Sequence, residues 1–367
     1  MRKLASIQKI SSLTPIKEAD LIEKATVLGW ELVVAKKDNL KVGDLCVYCE
    51  IDSILPDKSE FEFLRDRKFR IKTIKLKGQV SQGICFPLSI LPNKKYSEGD
   101  DVTDIIGVTK YDPQAEYERK ESERLAGIDK NRMDKFLKRY VWYRKLIFRP
   151  QRTPIPAFIK KTDENRIQLF PNACEEWKDV LFSVTEKLDG QSATYFVVPN
   201  PKRGLFQKKW IFGVCSRNFQ LLKLDSSSYW TIAKDGNIKE KMLCWCKREG
   251  AGLIIQGEII GNKIQGNKYN RNGVGFYVFN VIEYYKGINR VLDQAQQIVF
   301  CQDNGYIPVP ILYLCQKLPY SIPLAVDSSK GVSVLHNIPR EGIVVRNYER
   351  NISFKIVNSD FLLKYSE

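Results

Sequence analysis

The chain has 367 residues, 43% of them hydrophobic and 11% aromatic. That is the composition of a folded protein rather than a disordered one, with length for two or three domains. Fifty-nine Lys and Arg against 43 Asp and Glu give a net charge of +16, which points to a polyanionic partner, nucleic acid ahead of anionic membrane. No stretch approaches the roughly 20 apolar residues of a membrane span, and the opening MRKLASIQKISSL is too polar for a signal peptide. The sequence therefore reads as neither secreted nor membrane-spanning, and a cytoplasmic, nuclear or viral-factory setting is expected.

Residues 1–108 read as a small β-barrel domain. IEKATVLGWELVVAK, DLCVYCEIDSILP and FRIKTIKLKGQVSQGICFPL carry β-branched and aromatic runs broken by KKDNLKVGD and DKSEFEF. Several short strands in about 100 residues suggest an OB-like barrel. In FRIKTIKLKG apolar and basic residues alternate, so one face is expected in the core and the other toward solvent or phosphates. Cys46-Val-Tyr-Cys49 has zinc-like spacing but no matching second pair, and the nine cysteines, odd in number and irregularly spaced, read as reduced structural thiols.

Residues 109–157 form a basic, partly helical linker or insertion. Between Lys130 and Lys161 there are eleven Lys or Arg against the single acid Asp134. Tyr140, Trp142, Tyr143 and Phe148 are interleaved with Lys135, Lys138, Arg139, Arg144 and Lys145. This mixture could stack on bases and neutralise phosphates, or pack as an amphipathic helix on the next domain. Pro150, Pro154 and Pro156 mark its end.

From residue 158 to 367 the pattern is mixed α and β. Strands are predicted at 181–187, 193–198, 210–216, 253–260, 275–283, 342–347 and 352–357, and a helix over 288–303. No glycine-rich phosphate loop of the G-x-G-x-x-G or Walker type is present, so any nucleotide site must be built another way. With one histidine, His336, histidine-centred chemistry is not expected.

A different set of residues complements itself around Lys187 in SVTEKLDGQ. FGVCSRN ends in Arg217, QGEIIG places Glu258 in an apolar strand, GFYVFN offers Phe276 and Phe279, and REGIVVR with SFKIVN brings Glu341, Arg346 and Lys355. A lysine that attacks an electrophile must be neutral, yet at its ordinary pKa of about 10.4 only roughly one in a thousand is neutral near pH 7.4. A neighbouring cation such as Lys355, or a metal ion, lowers that barrier. Asp189, Glu258 and Glu341 could hold a divalent ion through water, and an aromatic strand offers a purine a surface.

These stretches, in this order, resemble the covalent nucleotidyltransferases, the group of ATP-dependent RNA and DNA ligases and mRNA capping enzymes whose nucleophile motif is K-x-D-G. EKLDG matches with Lys187, Asp189 and Gly190. Only about a dozen residues follow Lys355, leaving no room for the C-terminal OB domain of DNA ligases and capping enzymes. The candidate barrel comes first instead, and KTDENRIQ and GNKIQGNKYN fit as well. The chain thus resembles an RNA ligase of the Naegleria–Deinococcus type. The resemblance implies an α+β protein: an OB-like barrel, then a nucleotidyltransferase domain of antiparallel sheets with helices (ATP-grasp-like).

It further implies that Lys187 takes AMP from ATP and passes it to an RNA 5′-phosphate, which a 3′-hydroxyl then attacks, in the repair of nicked duplexes by a monomer. Glu186 would recognise adenine, Phe279 or alternatively Phe276 would stack on it, and Arg217 would contact ribose or substrate phosphate. Asp189, Glu258 and Glu341 would surround hydrated Mg²⁺ or Mn²⁺, and Lys355 would contact the α-phosphate. The motif departs from many relatives at Val357, where a second lysine is usual and Lys364 is a candidate substitute, and at Asn280, where Asp is usual.

Overall fold

The computed structural model describes residues 3–111, 152–201, 209–222, 224 and 226–365. The basic segment with Lys135, Lys138, Arg139, Arg144 and Lys145 lies outside the described residues.

Residues 3–111 fold as short antiparallel ribbons. Strands β1 (Ala5–Lys9), β2 (Ser12–Pro15), β3 (Ile22–Val27), β4 (Trp30–Ala35), β5 (Leu45–Cys49), β6 (Ser53–Ile54), β7 (Ile74–Leu76), β8 (Gln79–Ser81), β9 (Ile84–Pro87) and β10 (Thr109–Lys110) pair as β1-β5-β9, β2-β3-β4, β7-β8 and β6-β10. Alternation in β4 turns Trp30, Leu32 and Val34 inward, where they meet Ile7, Val47, Tyr48 and Leu55 in one core. Cys46 and Cys85 lie in that core with their sulfurs 3.2 Å apart, and all nine cysteines are free thiols.

The alternating FRIKTIKLKG does not form a half-buried strand. Only Ile74–Leu76 are extended, Leu76 is exposed, and Lys72, Lys75 and Lys77 all face solvent. Lys75 instead donates to the carbonyl of Leu363, near the C-terminus. The helix α1 (Thr103–Ile106) closes this unit.

Two sheets build the rest. An eight-stranded sheet runs in the order β11 (Arg152–Pro154), β16 (Phe219–Leu221), β15 (Trp210–Ser216), β14 (Gln191–Pro199), β17 (Gly252–Gly261), β18 (Val274–Tyr285) and β19 (Ile288–Val291), with β20 (Ile307–Pro308) also on β18. A five-stranded sheet runs β12 (Asn165–Arg166), β23 (Ile352–Val357), β22 (Gly342–Asn347), β13 (Phe182–Lys187) and β21 (Ile311–Gln316). The chain leaves the second sheet at Lys187 and enters the first at Gln191, so the residues between them sit at the junction.

Helices α2 (Ala173–Glu176), α3 (Ser228–Asp235), α4 (Ile238–Glu249), α5 (Gln294–Asn304), α6 (Ile322–Ser328) and α7 (Ser359–Tyr365) cover the sheets. On α4 the buried set Ile238, Met242, Trp245 and Cys246 follows helical spacing and packs on Tyr195, Val214 and Leu253 of the large sheet. The helix predicted over 288–303 begins at 294. Residues 288–291 form β19 after the tight turn at Lys286-Gly287, and Asp293 then starts α5 with a reciprocal capping box to Gln296. Among the described residues no helix is long and apolar enough to cross a membrane.

Candidate active site

A pocket of about 310 Å³ opens at the junction of the two sheets. Thr185, Glu186, Lys187, Val344, Arg346 and Lys355 line it from the five-stranded sheet, and Gln191, Ser192, Arg217, Glu258 and Phe279 from the larger one. Strand register explains the first group. Thr185 lies opposite Val344, which lies opposite Lys355, so one row crosses three strands. Lys187 is two residues beyond Thr185 and shares its face.

The turn after Lys187 requires glycine for a steric reason. A Cβ on Gly190 would lie 2.3 Å from the Ile259 carbonyl oxygen and 2.8 Å from Ile260 Cγ2, so only a hydrogen lets the turn seat against β17. Lys187 Nζ donates to Glu341 Oε1 at 2.5 Å, while Glu341 Oε2 is buried with no partner among the described residues. Burial raises the Glu341 carboxyl above its ordinary value, against the pull of Lys187. Glu258 is pushed up to about 8, first by burial, with Lys187 opposing and Glu341 and Asp189 repelling. Burial first, then Lys187 and the parallel neighbour Arg166, push Lys355 down to about 8.

The structure places the remaining candidates unevenly. Glu186 is buried, its Oε2 accepting from Val334 N at 2.9 Å and its Oε1 unpartnered among the described residues. Arg217 lines the pocket and pairs with Asp163. Asp189 turns away from the pocket: Lys268 pairs with its carboxylate, and its backbone N–H donates to Tyr269 Oη at 2.8 Å. Asp189, Glu258 and Glu341 do not converge as one ligand cluster among the described residues. Lys364 is exposed on α7 and does not line the pocket.

The two phenylalanines separate cleanly. Phe276 points to the helical side of the sheet and packs edge-on against Tyr195, with ring centroids 5.1 Å apart. Phe279 lines the pocket. Pairing of β17 with β18 skips it, because Gly257 faces Val278 and Gln256 faces Asn280, so Phe279 is the extra residue of a bulge. A bulge re-aims a side chain, and plain alternation along the strand could not have chosen between the two.

Arg346 is the residue whose role the sequence left unread. Its guanidinium is buried, donates to the Phe279 carbonyl at 2.8 Å and to Glu164 Oε1 at 3.1 Å, and lies 5.9 Å from the Phe279 ring. It therefore holds the bulge from the opposite sheet. Thr162, Asp163 and Tyr229 also line the pocket without having been singled out. The first two fall in KTDENRIQ, whose acids and hydroxyl just before the core were a usable signal. Tyr229 had none.

A short-strand barrel followed by a two-sheet core, with a lysine-centred pocket at the sheet junction, defines an OB domain joined to a ligase-type nucleotidyltransferase. Comparison with known proteins agrees: an OB-fold domain model matches residues 4–88, and an RNA ligase model matches residues 181–365. The Naegleria gruberi RNA ligase with pyrophosphate is 31% identical, with a TM-score of 0.69 over 100% of this chain and 99% of that one. A point variant of the same ligase with ATP and Mn is 30% identical, with a TM-score of 0.69 over 99% of each chain. A further variant with AMP and Mn gives the same identity, score and coverage. No curated protein matches the sequence. The chain belongs to the RNA ligase family.

Proposed function

We propose that this RNA ligase uses ATP to join a 3′-hydroxyl to a 5′-phosphate. The observation that carries the reading is Lys187 in a pocket with Lys355 on its own side and a carboxylate, Glu341, on its amine. Neutral Lys187 Nζ attacks the α-phosphate; an N–P bond forms, the bond to pyrophosphate breaks, and the amine proton leaves. An RNA 5′-phosphate oxygen then displaces Lys187 from AMP. The 3′-hydroxyl attacks that activated phosphate, AMP departs, and a phosphodiester remains.

The roles follow the placement. Glu186 Oε1, buried and unpartnered among the described residues, accepts from the adenine amino group, and Phe279 stacks on the ring. Arg217 exchanges Asp163 for ribose or a substrate phosphate. Lys355 meets the α-phosphate, whose charge offsets the burial of its ammonium.

The chemistry of the acids fits Mg²⁺ or Mn²⁺ bound through water. Glu341 Oε2 lacks a partner among the described residues, and burial holds Glu258 away from its ionised form until a cation compensates. A divalent ion held by Glu258 and Glu341, with Asp189 once freed from Lys268, would neutralise phosphate charge. Nicked duplex RNA as substrate, a monomeric state, and RNA contacts by Lys135, Lys138, Arg139, Arg144 and Lys145 complete the proposal. The full-length likeness to the Naegleria RNA ligase supports RNA as the substrate class.

The test is labelled nucleotide followed by labelled strands. Transfer of label from ATP to the wild-type chain, and none to Lys187→Ala, is expected, together with sealing of nicked RNA. Label taken from GTP instead of ATP, or an adduct that survives Lys187→Ala, would sink the reading.

A further inference from the structure

A second cavity lies beside the active site, outside all the residues given roles above. It is a groove of about 1170 Å³ between the start of β15 and the outer surfaces of α3 and α4. Its wall is aromatic: Trp210 and Phe212 come from alternate positions of β15, and Trp230 from α3, with the Phe212 and Trp230 rings edge-to-face at 6.4 Å. Its rim is basic. Among the described residues, Lys209, Lys234, Lys239 and Lys247 line it against one acid, Glu240. Lys234, Lys239 and Lys247 are exposed and form no ion pair among the described residues.

The groove is aligned with the chemistry. β15 starts at Trp210 in the groove and ends at Ser216, next to Arg217 in the active-site pocket. Six residue steps of extended chain span about 20 Å, or about six nucleotides at the 3.4 Å spacing of a stacked strand. The two cavities also share α3 as a wall, since consecutive residues Tyr229 and Trp230 line the pocket and the groove respectively. Neighbours on a helix point about 100° apart, so one short helix serves both sides.

Cations tracking a backbone beside aromatic faces are what binds single-stranded nucleic acid without regard to sequence. An acidic peptide would use the lysines but has no need of the three-ring wall. We propose that this groove carries the RNA strand leading away from the end being joined where that strand is unpaired, which extends the substrate range beyond the nicked duplex. The inference rests on the RNA-ligase reading, and it makes strand length a determinant of affinity.

The experiment uses the full chain and 5′-phosphorylated fluorescent oligoribonucleotides of two, four, eight and twelve residues. Binding is followed by anisotropy across a salt series, with label transfer from ATP measured in parallel. Wild type should bind eight-residue strands far more tightly than two-residue strands. In the triple variant Lys234→Ala, Lys239→Ala, Lys247→Ala, affinity for the eight-residue strand should fall at least about tenfold. The slope of log affinity against log salt should fall by about 2, the sum of three single-strand phosphate contacts. Two-residue strands and label transfer should be unaffected. Trp230→Ala should cost at least about fivefold on the long strand only. Equal losses on short and long strands, or an unchanged salt slope, would overturn the proposal, and so would variants that change the sedimentation of the free protein instead, because the groove would then belong to a second copy. Failure of wild-type label transfer would remove the ligase reading separately, without mimicking any of these outcomes.

Discussion

Replacing Arg346 by Met should weaken ATP binding through Phe279, a residue on the other sheet. The guanidinium is 8% exposed and its partner Glu164 22% exposed, so removing it strands a largely buried carboxylate. Breaking such a pair costs about 3–5 kcal/mol, and the residual exposure of Glu164 puts the expectation at about 3 kcal/mol in urea unfolding. The same change frees the Phe279 carbonyl, which Arg346 holds at 2.8 Å, and with it the bulge that aims the ring. An aromatic stack on a base is worth about 1–3 kcal/mol, so ATP affinity should fall about tenfold or more. Pairing the change with Glu164→Gln should restore part of the stability, since no charge is then orphaned, but none of the affinity. Arg346→Lys should likewise recover stability better than affinity, because a point charge cannot reach Glu164 and the bulge together. The readouts are unfolding free energy and the ATP concentration dependence of label transfer. A variant destabilised as calculated yet binding ATP within twofold of wild type would refute the argument and reduce Arg346 to a staple between sheets.

Other consequences are equally specific. Lys355 titrates near 8 in the fold against 10.5 when free, so its contribution to stability is full above 10.5 and is lost as pH falls through 8. That amounts to about 3 kcal/mol; Lys355→Met should therefore flatten the rise in unfolding free energy between pH 8 and 10.5, and an identical rise in the variant would contradict the assignment. Gly190→Ala forces a Cβ onto the Ile259 carbonyl and should destabilise the fold by about 3 kcal/mol, with label transfer falling in parallel. Lys268→Met frees the Asp189 carboxylate, leaving only its backbone N–H on Tyr269, and should lower the Mg²⁺ or Mn²⁺ concentration needed for label transfer; weaker ATP binding with an unchanged metal requirement would place Lys268 on the nucleotide.

The two-part architecture and most of the strands that line the pocket are legible in the amino-acid order alone. Short β-branched runs with turn residues between them specify the barrel, and 181–187, 253–260, 342–347 and 352–357 are extended within a residue or two of expectation, because long apolar runs with β-branched residues have few alternatives. The sequence also singled out Lys187, through K-x-D-G with acids and a second lysine downstream, and the structure puts that lysine in the pocket at the sheet junction. It misread segments where a local pattern competes with its surroundings: FRIKTIKLKG alternates like a half-buried strand but sends only Ile71 and Phe69 to the core before its exposed hairpin, and 288–291 joined a hairpin rather than α5.

How the two sheets meet is legible only in three dimensions. The choice of Phe279 over Phe276 comes from one unpaired residue in a register between β17 and β18. The latch of Arg346 on that bulge bridges positions 67 residues apart, and the turning of Asp189 away from the pocket depends on Lys268 in a distant loop. None of these has a local signature, because each is set by which strand lies beside which. Burial, likewise invisible in a residue list, moves Glu258 and Lys355 from opposite ends of the pH scale to about 8.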